Sequence, residues 1–329
     1  MRINIKDVAK RAGVSISTVS RVINDSKAVR PKTKAKVLEA IEELGYKPNA
    51  IARSLKVRHT KTIGIMVPDI SNQFYPEVVR GIEDVASMYE YNIFLCNTDL
   101  DSEKELQYFD VLEEKQVDGI IYMGGNISEE MGKRFKNASA PIILIGIDYE
   151  DYPSVTIDNI NASKEAVNYL ISKGHKKVGM ITGKAHDPII SGVRKEGYKQ
   201  ALEENNLTFD ESLVIEGGNR FKSGYEGARQ LLELPEPPSA LFISGDEMAI
   251  GAMRAALEMG IKIPDELAIV GFNNIDMAGK VFPSLSTIGQ PMYEMGAIGM
   301  RVLTKILHDE ELDDKKIVLN YSLIERESS

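Results

Sequence analysis

Ile16, Ser17, Thr18 and Arg21 stand together in the segment INIKDVAKRAGVSISTVSRVIN, residues 3–24, and Asn24 closes it. Short polar side chains beside one arginine on a helix can exchange hydrogen bonds with base edges in a major groove, and Arg21 can donate to guanine or to phosphate. Such a helix must be held by another. Val19, Val22 and Ile23 fall on its opposite face, and a preceding helix is expected from Ile5, Val8, Ala9 and Ala12 at helical spacing. Asn4 can cap that first helix with Asp7 three residues on, Gly13 stands where a sharp turn needs positive φ, and Ser15 can cap the second helix. The layout is that of a helix-turn-helix. A plain helical hairpin inside a larger core would share the periodicity, and charge separates the two. Residues 1–62 hold 15 Lys and Arg against 5 Asp and Glu, net +10, while the remainder holds 25 against 44, net −19. A basic head on an acidic body is the footprint of nucleic-acid binding confined to one end.

Further along, Pro31 suits the first turn of a third helix whose Val37, Leu38, Ile41 and Leu44 would close a small head core, with Gly45 as its C′ glycine. The next segment, PNAIARSL at 48–55, is about two turns long and marginal as a helix without a partner. From Thr62 onward short apolar runs alternate with amphipathic segments. TIGIMVPD, NIFLCNTD, GIIYMGG and PIILIGID are expected strands, with helices near 75–89, 103–115 and 129–135. A second series, KVGMITG, LVIEGG, ALFISGD and LAIVGFNN, alternates with helices near 160–173, 192–204, 224–234 and 248–259. This alternation predicts an α/β body of parallel sheets covered on both faces, and two series of similar size predict two subdomains.

Several classes are disfavoured. No run of about eighteen apolar residues exists to span a membrane. The basic N-terminal segment has no apolar signal core, so a cytoplasmic location is expected. The single cysteine, Cys96, lies among apolar neighbours and reads as a buried inert thiol. His59, His175, His186 and His308 show no metal-ligand spacing, and no phosphate loop or nucleophile elbow appears. No metal, cofactor or enzymatic activity is expected. Asp69, Asp158 and Asp246 end strands and could line a cleft, as a binding site for a polar ligand would require. A free-standing sugar-binding protein has such a body but not the basic head.

The run DVAKRAGVSISTVSRVIN, then residues 31–44, then GYKPNAIARSL, resembles the DNA-binding head of the LacI/GalR family of bacterial transcriptional regulators, and the likeness extends over the whole chain. It implies a homodimer on double-stranded operator DNA, a head at 1–47, a hinge helix and linker at 48–61, and a two-lobed periplasmic-binding-protein-like body at 62–329. The chain would cross between lobes near 148–160, within it the loop 148–153, and near 287–291. In the family, paired hinge helices enter the minor groove and a leucine wedges between base steps. Ala52 and Leu55 hold the matching positions, although an apolar linker residue is the simpler reading of Leu55 by itself. The family's cleft takes a small effector, here a small sugar or sugar phosphate, and the matching positions are Asp69, Phe74, Tyr75, Arg194, Asp246 and Asn273. Two departures weaken hydroxyl recognition: Gly245 stands where Asn is usual, and Asn273 replaces an acidic residue.

In PMYEMGAIGMRVLTKIL, Tyr293, Ala297, Arg301 and Lys305 follow one another at i, i+4 steps, and the last two suit a phosphate. The stripe resembles the one by which the catabolite-control branch of the family docks the serine-phosphorylated HPr carrier protein. That branch has a Met-Ala pair where Ile16 and Ser17 stand, which implies different outer operator bases. The resemblance thus implies a repressor of carbon metabolism co-regulated by that carrier, and the alternative is a local sugar-operon repressor released by a small sugar.

Overall fold

Asn4 opens the first helix of the head as a capping box. Its side chain accepts from the Lys6 and Asp7 backbone N–H groups, and the Asp7 carboxylate accepts from the Asn4 N–H. The structure, a computed structural model, describes residues 3–24, 29–46, 60–125, 127–183 and 192–329. The head helices run Ile5–Ala12, Ile16–Asn24 and Pro31–Leu44. Gly13 sits at φ 66 and Gly45 at φ 59, left-handed positions that favour glycine. Val8, Ala9, Ala12, Val19, Val22, Val37 and Ala40 form the head core. Leu38, expected inside, is 49% exposed. On the third helix the buried face runs through 37, 40, 41 and 44, so Ala40 takes the inward position and Leu38 is turned one residue away from it.

The chain divides into two compact units at Thr60 and Lys61. The body carries β1 (Thr62–Val67), β2 (Asn92–Asn97), β3 (Gly119–Tyr122), β4 (Ile142–Ile145) and β5 (Ser154–Ile157), then β6 (Val178–Thr182), β7 (Val214–Glu216), β8 (Ala240–Ile243), β9 (Ala268–Asn273) and β10 (Ser286–Gly289), then β11 (Lys316–Leu319) and β12 (Ser322–Ile324). They form two six-stranded sheets, ordered β11-β5-β4-β3-β1-β2 and β12-β10-β9-β8-β6-β7. Among the described residues all strand pairings are parallel except β10 with β12. The apolar runs of β1, β3, β4, β6, β8 and β9 are the central strands, buried along nearly their whole length, with helices on both faces. The runs of β2 and β7 lie instead at sheet edges, and β2 leaves Phe94 and Leu95 exposed.

Four strands escape the apolar-run reading. β10 begins with Ser286 and Thr287, both fully buried but polar, while β11 and β12 are short outer strands. β5 is only four residues long. Because β5 belongs to the first sheet, the loop 148–153 stays within that lobe and the first crossing falls after Ile157. The second crossing lies after Gly289. A third runs from β11 to β12 at 320–321, and the sequence reading did not include it.

Glycines set how closely helices pack. A Cβ on Gly81 would lie 2.0 Å from the Tyr293 carbonyl oxygen, and one on Gly296 would lie 1.9 Å from that of Val78. The helices Phe74–Met88 and Met292–Leu307 therefore meet backbone to backbone. The second lobe repeats the device at Gly224 and Gly251, which join the helices Phe221–Leu232 and Asp246–Glu258.

Candidate nucleic-acid interface, ligand cleft and docking stripe

On the second head helix, Val19 and Val22 are buried while Ile16, Ser17 and Arg21 are exposed and Thr18 is half-buried. The Thr18 N–H donates to Ser15 Oγ at 3.2 Å, so Ser15 caps the helix. Its hydroxyl also lies 2.8 Å from Ser17 Oγ and 2.9 Å from Thr18 Oγ1. This hydroxyl cluster and Arg21 share the side of the helix that the head core leaves uncovered. Asn24 ends the helix. Ala52 and Leu55, with the expected hinge helix, lie outside the described residues.

The cleft is lined from both lobes. Phe74, Tyr75, Arg194 and Asn273 surround a cavity of about 50 Å³ together with Asn72, Asn159 and Gln290. Arg194 is only 4% exposed. Its Nε donates to Asn159 Oδ1 at 3.1 Å, its Nη1 to the Ser244 carbonyl at 2.6 Å, and its guanidinium carbon stands 3.5 Å from the Phe272 ring centroid. Asn273, at φ 116, accepts from Gln290 Nε2 at 2.7 Å. Asp69 lines an adjoining cavity of about 320 Å³ with Asn72, Tyr75 and Arg220.

Asp246 is fully buried at the start of its helix. Its Oδ1 accepts from the Thr287 hydroxyl at 2.6 Å and its Oδ2 from the Ile275 N–H at 2.8 Å. Burial pushes its carboxyl up from 3.8 to about 6, against the pull of those hydrogen bonds. It fastens the turn after β9 to β10 next to the second crossing. Asp158, at the first crossing, caps the helix Asn159–Ser172 through the Asn161 N–H at 3.0 Å.

The stripe on Met292–Leu307 is interrupted. Ala297 is buried, because its turn packs against Gly81. Tyr293, Arg301 and Lys305 reach the surface, with Lys305 half-buried and its Nζ 3.2 Å from Asp313 Oδ2. The Tyr293 hydroxyl donates to Asp84 Oδ2 at 2.8 Å, which together with burial raises the phenol above its usual range. Arg80, on the neighbouring helix, adds a second exposed guanidinium close enough to act on the same phenol. Arg301 is exposed and has no ion pair among the described residues. Arg80 and Asp84 were missed in the sequence, although their i, i+4 spacing puts them on one helix face.

Burial pushes the Cys96 thiol up to about 11, the setting of an inert packing residue. Among the described residues no group of His, Cys, Asp and Glu could hold a metal ion, and no helix is long and apolar enough to cross a membrane.

Comparison with known proteins matches this architecture at both ends. The profile of bacterial regulatory proteins of the lacI family covers residues 4–49, and that of a periplasmic binding protein-like domain covers 167–329. The chain is 46% identical to the HTH-type transcriptional regulator RegA of Clostridium saccharobutylicum and 44% identical to catabolite control protein A of Priestia megaterium, each over the full length of both chains. Among solved structures, transcription regulator CcpA of Lactococcus lactis is 36% identical, covers 82% of this chain and 98% of its own, and superposes with a TM-score of 0.76. The lac repressor dimer bound to operator and the anti-inducer ONPF, at 24% identity, covers 100% of this chain and 99% of its own with a TM-score of 0.87, and it shares the fold.

Proposed function

The chain belongs to the lacI family of bacterial regulatory proteins and is a DNA-binding transcriptional regulator, and we propose that within it the protein represses genes of carbon metabolism as a homodimer. Two heads bind a pseudo-palindromic operator, each laying the helix Ile16–Asn24 in a major groove. Ile16, Ser17, Thr18, Arg21 and Asn24 read bases and phosphates, and Ala52 and Leu55 of the hinge, residues 48–61, enter the central minor groove. The body from 62 onward supplies self-association and control. Exposed apolar side chains such as Phe282, at 85%, and Met88, at 75%, offer surface for a second copy.

The observation that carries the DNA reading is the two-sided recognition helix, with Val19 and Val22 buried and the hydroxyl cluster and Arg21 uncovered. Fluorescence anisotropy on a palindromic operator with a central CG step tests it. Binding should weaken steeply as salt rises, and Arg21→Ala should cost roughly tenfold or more. Absence of binding, or salt-independent binding, at every operator tried would sink the reading.

Control enters by two routes. A small sugar or sugar phosphate in the cleft, touching Asp69, Phe74, Tyr75, Arg194 and Asn273, would bias the lobe angle and with it the spacing of the hinge segments. Asp246, expected among the contacts, is fully buried and holds the turn behind them. Serine-phosphorylated HPr would dock on Tyr293, Arg301 and Lys305, where the uncommitted Arg301 can take the phosphate as a fork. The likeness to catabolite control protein A supports the second route. Calorimetry with the phosphorylated carrier tests it, and heat unchanged by Arg301→Ala would refute docking at this stripe. A thermal-shift sugar screen lost on Arg194→Ala would instead support a local sugar regulator.

A further inference from the structure

The turn between β7 and the helix Phe221–Leu232 breaks a local rule. Arg220 occupies the N-cap in extended conformation, φ −129 and ψ 157, and makes no side-chain hydrogen bond to the first turn. Ser, Thr, Asp and Asn are favoured there because their oxygens accept from unpaired backbone N–H groups, and a cation adds to the positive end of the helix dipole. A residue kept against local preference points to a compensating role elsewhere.

That role is visible across the cleft. The Arg220 guanidinium is ion-paired with Asp69 Oδ2, just beyond β1 in the other lobe, and its Nη1 stands 3.9 Å from Glu247 Oε1 in its own lobe. Both ends are oriented beforehand. Asp69 Oδ1 accepts from the Ser71 N–H at 3.0 Å and the Ser71 hydroxyl at 2.8 Å, while the Gly218 N–H donates to Ser223 Oγ at 2.9 Å and fixes the Arg220 turn. Asn72 Nδ2 adds a second crossing contact, 3.5 Å from the Asn219 carbonyl oxygen. The Asp69 side chain is 20% exposed and that of Arg220 45%, so the pair stands at the cleft mouth within reach of salt.

We propose that Arg220 and Asp69 form an ionic clasp that closes the two lobes without any ligand. The cleft then has a basal, salt-sensitive closure on which an effector acts, instead of a closure that the effector alone creates. A half-exposed pair of this kind shifts the lobe equilibrium by roughly fivefold. The clasp stands independently of the DNA-binding reading, whereas its effect on operator affinity rests on that reading.

Arg220→Asp is the informative variant, because aspartate improves the N-cap while setting a like charge against Asp69 and Glu247. Spin labels at Glu129→Cys and Glu236→Cys, one on each lobe, read the interlobe distance in the full-length ligand-free protein diluted with unlabelled chain. The parent should give a distribution weighted to the short distance, whose short fraction falls as sodium chloride rises from about 0.05 to about 0.5 M. Arg220→Asp should shift weight to the longer distance at all salt concentrations, and the swap Asp69→Arg with Arg220→Asp should return weight to the short one. A parent distribution indifferent to salt, or an Arg220→Asp distribution equal to the parent's, overturns the clasp. Operator affinity is read separately. If the lobes open and affinity holds, the coupling of lobe angle to DNA binding fails and the clasp stands.

Discussion

The cleft and the outer face of Met292–Leu307 each present an arginine proposed as a ligand group, and they are built in opposite ways. Arg194 is buried, hydrogen-bonded to Asn159 and Ser244 and stacked on Phe272. Arg301 is exposed and lacks an ion pair among the described residues. A ligand reaching Arg194 must displace or share bonds that already tie the lobe together, so binding there reads out as movement. A ligand reaching Arg301 gives up only hydration and side-chain freedom. The cleft is part of the frame, and the stripe is a surface carried by it.

Damaging the frame beneath the stripe gives the largest effect. Gly296→Val would drive side-chain carbons into the Val78 carbonyl, already 1.9 Å from a bare Cβ position. Backbone cannot yield as a flexible side chain does. The expected loss exceeds about 3 kcal/mol in urea unfolding, and Tyr293 would shift away from Asp84. A loss below about 1 kcal/mol would mean the two helices are not locked together there.

Asp246 separates the two regions by pH. Its folded-state carboxyl is raised to about 6 from 3.8, so the folded chain holds the proton more tightly than the unfolded chain. The stabilisation is full below about pH 4 and is lost as pH rises through about 6, reaching up to about 3 kcal/mol. Relative to Asp246→Asn, the parent should therefore lose stability between about pH 4.5 and about pH 7.5 in urea titrations. Equal pH slopes would remove Asp246 from the account. Arg194→Ala comes next. It abandons the acceptors on Asn159 and Ser244 and leaves Phe272 unstacked, for an expected loss of about 2 kcal/mol by the same measurement.

The sequence was legible where structure is local. Asn4, Gly13, Ser15 and Gly45 each act within a turn or two of their own position, and each does what its type and spacing require. The long apolar strands were legible for a similar reason, since burial on both faces leaves a run that needs no partner to recognise. What failed depends on distant partners. β10 hides because Ser286 and Thr287 are buried polar residues whose hydroxyls are satisfied by the Arg326 N–H and the Asp246 carboxylate from 40 and 41 positions away. Tyr293 meets an aspartate 209 positions off, and Arg220 pairs across the cleft with a residue from the first strand's end. Candidate site residues could be named from type, but nothing in spacing distinguishes the embedded Arg194 from the open Arg301.

The smallest effect on stability is also the sharpest test of the contrast. Arg301→Ala removes an exposed side chain that makes no ion pair among the described residues, so urea unfolding should change by less than about 0.5 kcal/mol. Docking of a phosphorylated partner at the stripe should nonetheless weaken roughly tenfold or more, because a guanidinium can grip two phosphate oxygens at once and alanine none. Arg301→Lys keeps the charge and loses the fork, and it should fall between the two. If Arg301→Ala destabilises the fold as much as Arg194→Ala does, the stripe is frame as well, and the distinction drawn between the two regions fails.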